Sequence, residues 1–142
     1  MKVLRIVYML MLAFSIVYFI TEICDASEIS EKDAVHCILG EAQGEYRSQG
    51  IDAFIAIGEG IRNRGSKRGV YGCTANLSKD MPYLKAKGLV KEAKKAWKRS
   101  KVSNLIKGAD MWENIVAFGK PSWYNDVVEI VKIGNHTFFK ER

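Results

Sequence analysis

The chain has 142 residues, enough for one hydrophobic core and too few for two independent ones. Its 48% apolar content, 27% charged content and two prolines exclude a disordered or low-complexity chain, and no repeat period runs along it. A formal net charge of +6 suits acidic partners.

The first 26 residues read apart from the rest. Lys2 and Arg5 precede an apolar stretch from Ile6 to Ile20, and Cys24-Asp25-Ala26 ends in a small residue. This is the layout of a secretory signal peptide cut after Ala26, or of a signal anchor where it stays attached. Residues 27–142 then form one exported domain, in the periplasm, the cell wall or the medium. Lys2, Arg5, Glu22 and Asp25 cancel, so that domain keeps the charge of +6. Export removes nucleic acid from the expected partners and leaves anionic wall polymers or lipid. Cys37 and Cys73 remain as an even pair in an oxidising compartment, either as a disulfide or as two buried thiols.

Ser30 is placed to cap a first helix, with Glu31 and Asp33 in its first turn. Ala34, Cys37, Ile38, Glu41 and Ala42 share one face, Glu45 continues the row, and Gly44 stands where the helix would close or bend. A second helix is predicted from about Gly50 to Arg64 on the three-and-four spacing of Ile51, Phe54, Ile55, Gly58 and Ile61. Gly58 and Gly60 weaken it, which points to close packing against another backbone. Leu84 to Val102 reads as one amphipathic helix, with Leu89, Ala93, Ala96 and Trp97 opposite a lysine-rich solvated face. The segment GADMWENIVAFGKPSWY has the texture of a site-forming loop. Val127 to Val131 and the closing IGNHTFF favour a short strand or hairpin. The fold class is α+β, mainly α, with a short β element near the C-terminus.

Glu41 and Glu45 lie one turn apart on a face that should be buried. Desolvation and a neighbouring carboxylate both disfavour ionisation, so Glu41 is expected to titrate above the ordinary carboxylate value and to keep its proton. A carboxylic acid held that way suits protonation of a glycosidic oxygen. The competing reading is a glutamate neutralised by a buried arginine, with Arg47, Arg62 and Arg64 as candidates. For Glu45, pairing with Arg62 or Arg64 is the simpler expectation.

The residues GEAQGE, followed by Gly50, IRNRG at 61–65, GVYG at 69–72, and a tail of GADMWEN, FGKPSWY and IGNHTFF, resemble the SleB-type cell-wall hydrolases. These are the spore-cortex-lytic enzymes and their phage and prophage relatives. The match runs from about Ser30 to Lys140, nearly the whole domain. The resemblance implies a lysozyme-like α+β fold and cleavage of the β-1,4 bond between N-acetylmuramic acid and N-acetylglucosamine in peptidoglycan. It also implies that Glu41, the first glutamate of GEA, is the catalytic acid.

Candidates for a second carboxylate are Glu45, Glu59 and Asp80. Glu45 shares a face with Glu41, Glu59 lies off the apolar stripe, and Asp80 sits in a loop. With no convincing partner, a single-acid route to 1,6-anhydromuramyl ends is favoured, a lytic transglycosylation. Trp112, Asn114, Trp123, Tyr124 and Asn135, together with Glu45, are the substrate-binding candidates, because indole and phenol faces suit pyranose C–H faces and amides suit N-acetyl groups. Trp97 reads as core. His136 reads as a hydrogen-bonded structural residue, with general base as the sharper alternative. No metal-ligand spacing occurs, so neither metal nor cofactor is expected. The expected partner is the glycan strand, contacted by a monomer. Two rivals remain, a non-catalytic exported peptidoglycan-binding module and a membrane-active basic protein.

Overall fold

The computed structural model describes residues 29–142; the expected leader and its cleavage site lie outside the described residues. Ser30 caps the first helix, α1 (Glu31–Ala42), by accepting the Asp33 amide at 3.1 Å. A four-residue turn of helix, α2 (Tyr46–Gln49), leads into α3 (Ile51–Arg64), and Gly65 closes α3 in the left-handed conformation. The expected ends of both long helices therefore hold.

The interior of α3 departs from an amphipathic pattern. Every residue from Ala53 to Ile61 is buried, because α1 and the helix Leu89–Arg99 pack on it from one side and the loop at 104–106 from another. Glu59, expected away from the apolar stripe, is one of these buried residues, and its carboxylate accepts the Leu105 and Ile106 amides at 2.9 and 3.0 Å. The two glycines of α3 do mark close packing, but against side chains rather than backbone. A Cβ on Gly58 would meet the Ser100 side chain at 3.0 Å, and one on Gly60 would meet the Trp112 ring at 2.7 Å.

A 3-10 turn at Tyr71–Thr74 follows a glycine-rich loop and lies on α1, joined to it by the Cys37–Cys73 disulfide. The single helix expected from Leu84 to Val102 is two: α4 (Met81–Ala86) and α5 (Leu89–Arg99). Gly88, at φ 72°, turns the chain between them, and α5 then buries Leu89, Ala93, Ala96 and Trp97 as the pattern implied.

The C-terminal segment forms a three-stranded antiparallel sheet in the order β1 (Met111–Glu113), β3 (His136–Glu141), β2 (Val127–Ile133). The expected hairpin is present, with Ile133 paired to His136 and a register irregularity between Glu129 and Val131. Between β1 and β2 run the short helix α6 (Ile115–Phe118) and a 3-10 turn at Tyr124–Asp126. The first four residues of β3 are all buried, since this central strand is covered on both faces. The core is continuous from α1, α3 and α5 to Trp112 and Phe138. Among the described residues no helix is long and apolar enough to cross a membrane.

Candidate active site

Cys37 and Glu41 lie one turn apart on α1, so the disulfide to Cys73 also fixes the residue beside it, Gly72, over Glu41. Two glycines make this approach sterically feasible. A Cβ on Gly40 would overlap the Gly72 carbonyl, and one on Gly72 would lie 2.5 Å from the Glu41 nitrogen. The Gly72 amide then donates to Glu41 Oε1 at 2.6 Å.

The second oxygen of Glu41 faces two ring nitrogens. Trp112 Nε1 donates to Oε2 at 3.4 Å, and His136 Nε2 stands 3.6 Å from it. The Trp112 ring reaches this position because Gly60 leaves room for it on α3.

The other side of His136 belongs to Glu45. Its Nδ1 lies 2.7 Å from Glu45 Oε1, while Glu45 Oε2 accepts the Asn135 amide at 3.1 Å. Gly134, at φ +62°, turns the β2–β3 hairpin directly onto this carboxylate, and any Cβ there would run into Glu45 Oε2. Three side chains, each about nine-tenths buried, thus form a row: Glu45, His136, Glu41.

An imidazole with a carboxylate facing each ring nitrogen, 2.7 Å from Nδ1 and 3.6 Å from Nε2, is favoured in its doubly protonated form. Burial pushes the His136 pKa down, but the hydrogen bonds and charges of Glu41 and Glu45 outweigh it and lift the ring to about 9. For Glu41 the balance overturns the expectation of a raised value. Burial pushes its carboxyl up, yet the His136 hydrogen bond, the Gly72 amide, the imidazolium charge and the Trp112 N–H together hold it below the ordinary carboxylate range. Both shifts favour an ion pair over a neutral acid in the resting site.

Glu41, Trp112 and His136 open onto a cleft of about 320 Å³. Arg64 and Glu113 bring opposite charges to its wall, and Tyr71 and Phe118 line it while remaining 80% and 78% exposed. A larger open depression of about 510 Å³, bounded by Tyr46, Arg47, Tyr83 and Lys87, contains none of the carboxylate–imidazole row.

Of the residues expected to bind substrate, Trp112 lines the cleft. Glu45 is buried behind His136 rather than paired with an arginine. Asn114 caps α6, its Oδ1 accepting the Ala117 amide at 3.0 Å. Trp123 and Tyr124 pack edge-on against Phe139 at 5.5 and 5.7 Å between centroids, away from the cleft lining. Asn135 is exposed, and its backbone rather than its amide serves the site. Trp97 is core, as expected, with the Arg62 guanidinium 3.5 Å over its ring. Asp80 is an exposed residue at the start of α4.

The arginines proposed as partners for the two acids are engaged elsewhere. Arg62 donates to Ser100 Oγ and the Trp97 carbonyl, Arg47 reaches the Tyr83 hydroxyl, and Arg64 lies 5.9 Å over the Trp112 ring.

Sequence reasoning missed the joint role of His136 and the cleft positions of Tyr71, Arg64, Glu113 and Phe118. The available signal was the combination of an i, i+4 acid pair with a lone histidine after Gly134-Asn135. Among the described residues no group of three or more His, Cys, Asp or Glu is disposed to hold a metal ion.

No protein-family model and no curated protein matches the chain. Two solved structures share its fold. One is the catalytic domain of the germination-specific lytic transglycosylase SleB from Bacillus anthracis, 20% identical, with a TM-score of 0.54 over 80% of this chain and 96% of that one. The other is the catalytic domain of the Bacillus cereus SleB protein, 21% identical, with a TM-score of 0.52 over 80% of this chain and 94% of that one. The chain therefore has the lysozyme-like α+β fold that the sequence resemblance implied.

Proposed function

We propose that this chain is an exported peptidoglycan-cleaving glycosidase acting on the β-1,4 bond between N-acetylmuramic acid and N-acetylglucosamine, with Glu41 as its acid and base. The observation that carries the reading is a carboxyl nine-tenths buried, oriented by a backbone amide and two ring N–H groups, that opens into an aromatic-rimmed cleft. Its position at the first glutamate of the GEA motif, in a fold shared with two SleB catalytic domains, supports the same reading. Tyr71, Phe118 and Trp112 offer apolar faces to pyranose rings.

In the favoured route Glu41 delivers a proton to the leaving glycosidic oxygen. As a carboxylate it then takes the proton of the muramic C6 hydroxyl while that oxygen closes on C1. The product is a 1,6-anhydromuramyl end. Glu45 is occupied with His136, Glu59 with a buried loop, and Asp80 lies outside the cleft lining, so none of the three is positioned as a nucleophile. One observation favours a second reading: Glu113 shares the cleft with Glu41, and a carboxylate there could activate water for hydrolysis.

Purified sacculi incubated with the protein separate these outcomes by product mass. Muropeptides lighter by one water support the transglycosylase, whereas reducing ends lost on Glu113→Gln support hydrolysis. Glu41→Gln retains an acceptor for the Gly72 amide, so it is expected to bind walls and to leave them intact. Unchanged lysis by that variant removes Glu41 from the acid role. The non-catalytic module predicts binding without turbidity loss by the native chain, and the membrane-active alternative predicts leakage of anionic vesicles.

A further inference from the structure

We propose that His136 holds the proton that Glu41 uses, and that Glu45 keeps the ring oriented and charged so that Nε2 is the nitrogen that releases it. This deepens the glycosidase reading and rests on it. The requirement comes from the site's own geometry. Around the Glu41 carboxylate stand a backbone N–H, an indole N–H and an imidazole N–H. Three donors favour the anion, so the resting carboxyl is not the place where a proton is kept. Of the three, the backbone amide and the indole do not ionise in water's range, and the imidazole does.

The remaining geometry selects one ring nitrogen. Nδ1 is fixed on Glu45 at 2.7 Å, a charge-assisted hydrogen bond, and that carboxylate is itself anchored by the Asn135 amide. Nε2 stands 3.6 Å from Glu41 Oε2, longer than a well-formed hydrogen bond, so a movement of about half an ångström brings it to transfer distance. The hairpin turn through Gly134 packs directly against the Glu45 carboxylate.

The proton step balances without any further reactant. The Nε2–H bond breaks and an Oε2–H bond forms, so the imidazolium–carboxylate pair becomes a neutral pair. The three groups carry a net charge of −1 before and after. Filling the cleft with a saccharide removes water from the pair and favours its neutral form. Glu41 then passes the proton to the glycosidic oxygen as the C1–O bond breaks. It receives the C6 hydroxyl proton as the new C1–O bond forms, and it returns that proton to Nε2 when water re-enters. Facing this exchange are Glu41 from α1, Glu45 from the α1–α2 turn, Arg64 at the end of α3, and Glu113 from β1. Tyr71 also lines the cleft. His136 acts through Glu41 and is a positioning residue.

The test is the pH dependence of sacculus cleavage, together with NMR of imidazole-labelled protein, whose two histidines give two ring signals. Wild-type activity is expected to persist to an alkaline limb near the ring's value of about 9. In His136→Asn the acid must be Glu41 alone, and the limb is expected to fall by more than four pH units, from about 9 into the carboxylate range, while turnover at acid pH survives. Glu45→Gln is expected to lower the limb by an intermediate amount. An unshifted limb in His136→Asn overturns the proposal.

Should His136→Asn fail to fold, the wild-type NMR titration decides. A doubly protonated His136 ring at pH 7 to 8 supports the proposal, and a neutral ring there overturns it. Absence of cleavage at every pH by the native chain sinks the glycosidase reading instead, and the titration still judges the proton pair.

Discussion

A carboxylate taken out of water is costly unless its charge is met, and at Glu41 the compensation comes from His136 across the fold rather than from a neighbour on the same helix. This gives folding stability a defined pH dependence. His136 is raised in the folded state, so its contribution is complete below the unfolded value of 6.5 and is lost as pH climbs through about 9. Glu41 is lowered, so its contribution is present above the ordinary carboxylate value and is lost as pH falls through the depressed one. Folding stability should therefore be highest in mildly acid solution and decline between pH 6.5 and 9, by on the order of 3 kcal/mol in all, with the melting temperature following it. In His136→Asn that alkaline decline should vanish, which a series of thermal melts will check. Glu59 makes a separate prediction. Its carboxylate satisfies two backbone amides in the interior, so Glu59→Ala should cost about 3 kcal/mol by urea titration, with Glu59→Gln closer to wild type. At this scale the sequence was legible for where Glu41 lies and illegible for its ionisation. Helical spacing put Glu41 on the buried face, but the sign of its shift depended on a histidine that only the sheet brings into contact with it.

The elements that build the site are short, and a disulfide compensates for that. The 3-10 turn carrying Gly72 has four residues and little burial of its own, yet it must hold one amide against Glu41. Cys37–Cys73 supplies the restraint across 36 residues of sequence, a loop whose closure is worth about 4 kcal/mol in the chain-entropy account. Reduction, or Cys37→Ala with Cys73→Ala, should lower stability by about that much and reduce cleavage further than the unfolded fraction explains, because the turn loosens over the carboxylate. Gly72→Ala tests the same contact with the disulfide intact. Its Cβ meets Cys37 O and Glu41 Cγ at 2.6 Å, so the turn must lift, and activity should fall more than the melting temperature does. Helix ends with strong local signals, Ser30 and Gly65, could be read from sequence because capping chemistry is local. The break at Gly88 carried only a lone glycine in a good helical pattern, which spacing alone cannot tell from a tolerated one. Strand β1 was not legible, since three residues carry no period and its pairing with β3 is set by tertiary packing.

Across the whole molecule, the basic charge and the cleft are separable features. The charge of +6 includes the lysine-rich face of α5, whose Lys91, Lys94, Lys95 and Lys98 point to solvent opposite the buried Leu89, Ala93, Ala96 and Trp97. None of these lysines lines the carboxylate cleft, so under the proposed function they bear on how the protein reaches a wall rather than on how a bond is cut. An exposed cationic face attracts anionic polymers over a Debye length of roughly 10 Å at 0.1 M salt, and the attraction weakens as salt rises. Replacing Lys94 and Lys98 by glutamate should therefore leave the melting temperature within about 1 °C, since exposed substitutions change stability little. The same variant should bind and clear intact sacculi several-fold more slowly at low ionic strength, with the difference closing as salt is added. Cleavage of short soluble glycan fragments should be unchanged, because no residue of α5 lines the cleft. A double variant that slows both substrates equally at all salt concentrations would mean that α5 acts on the cleft itself.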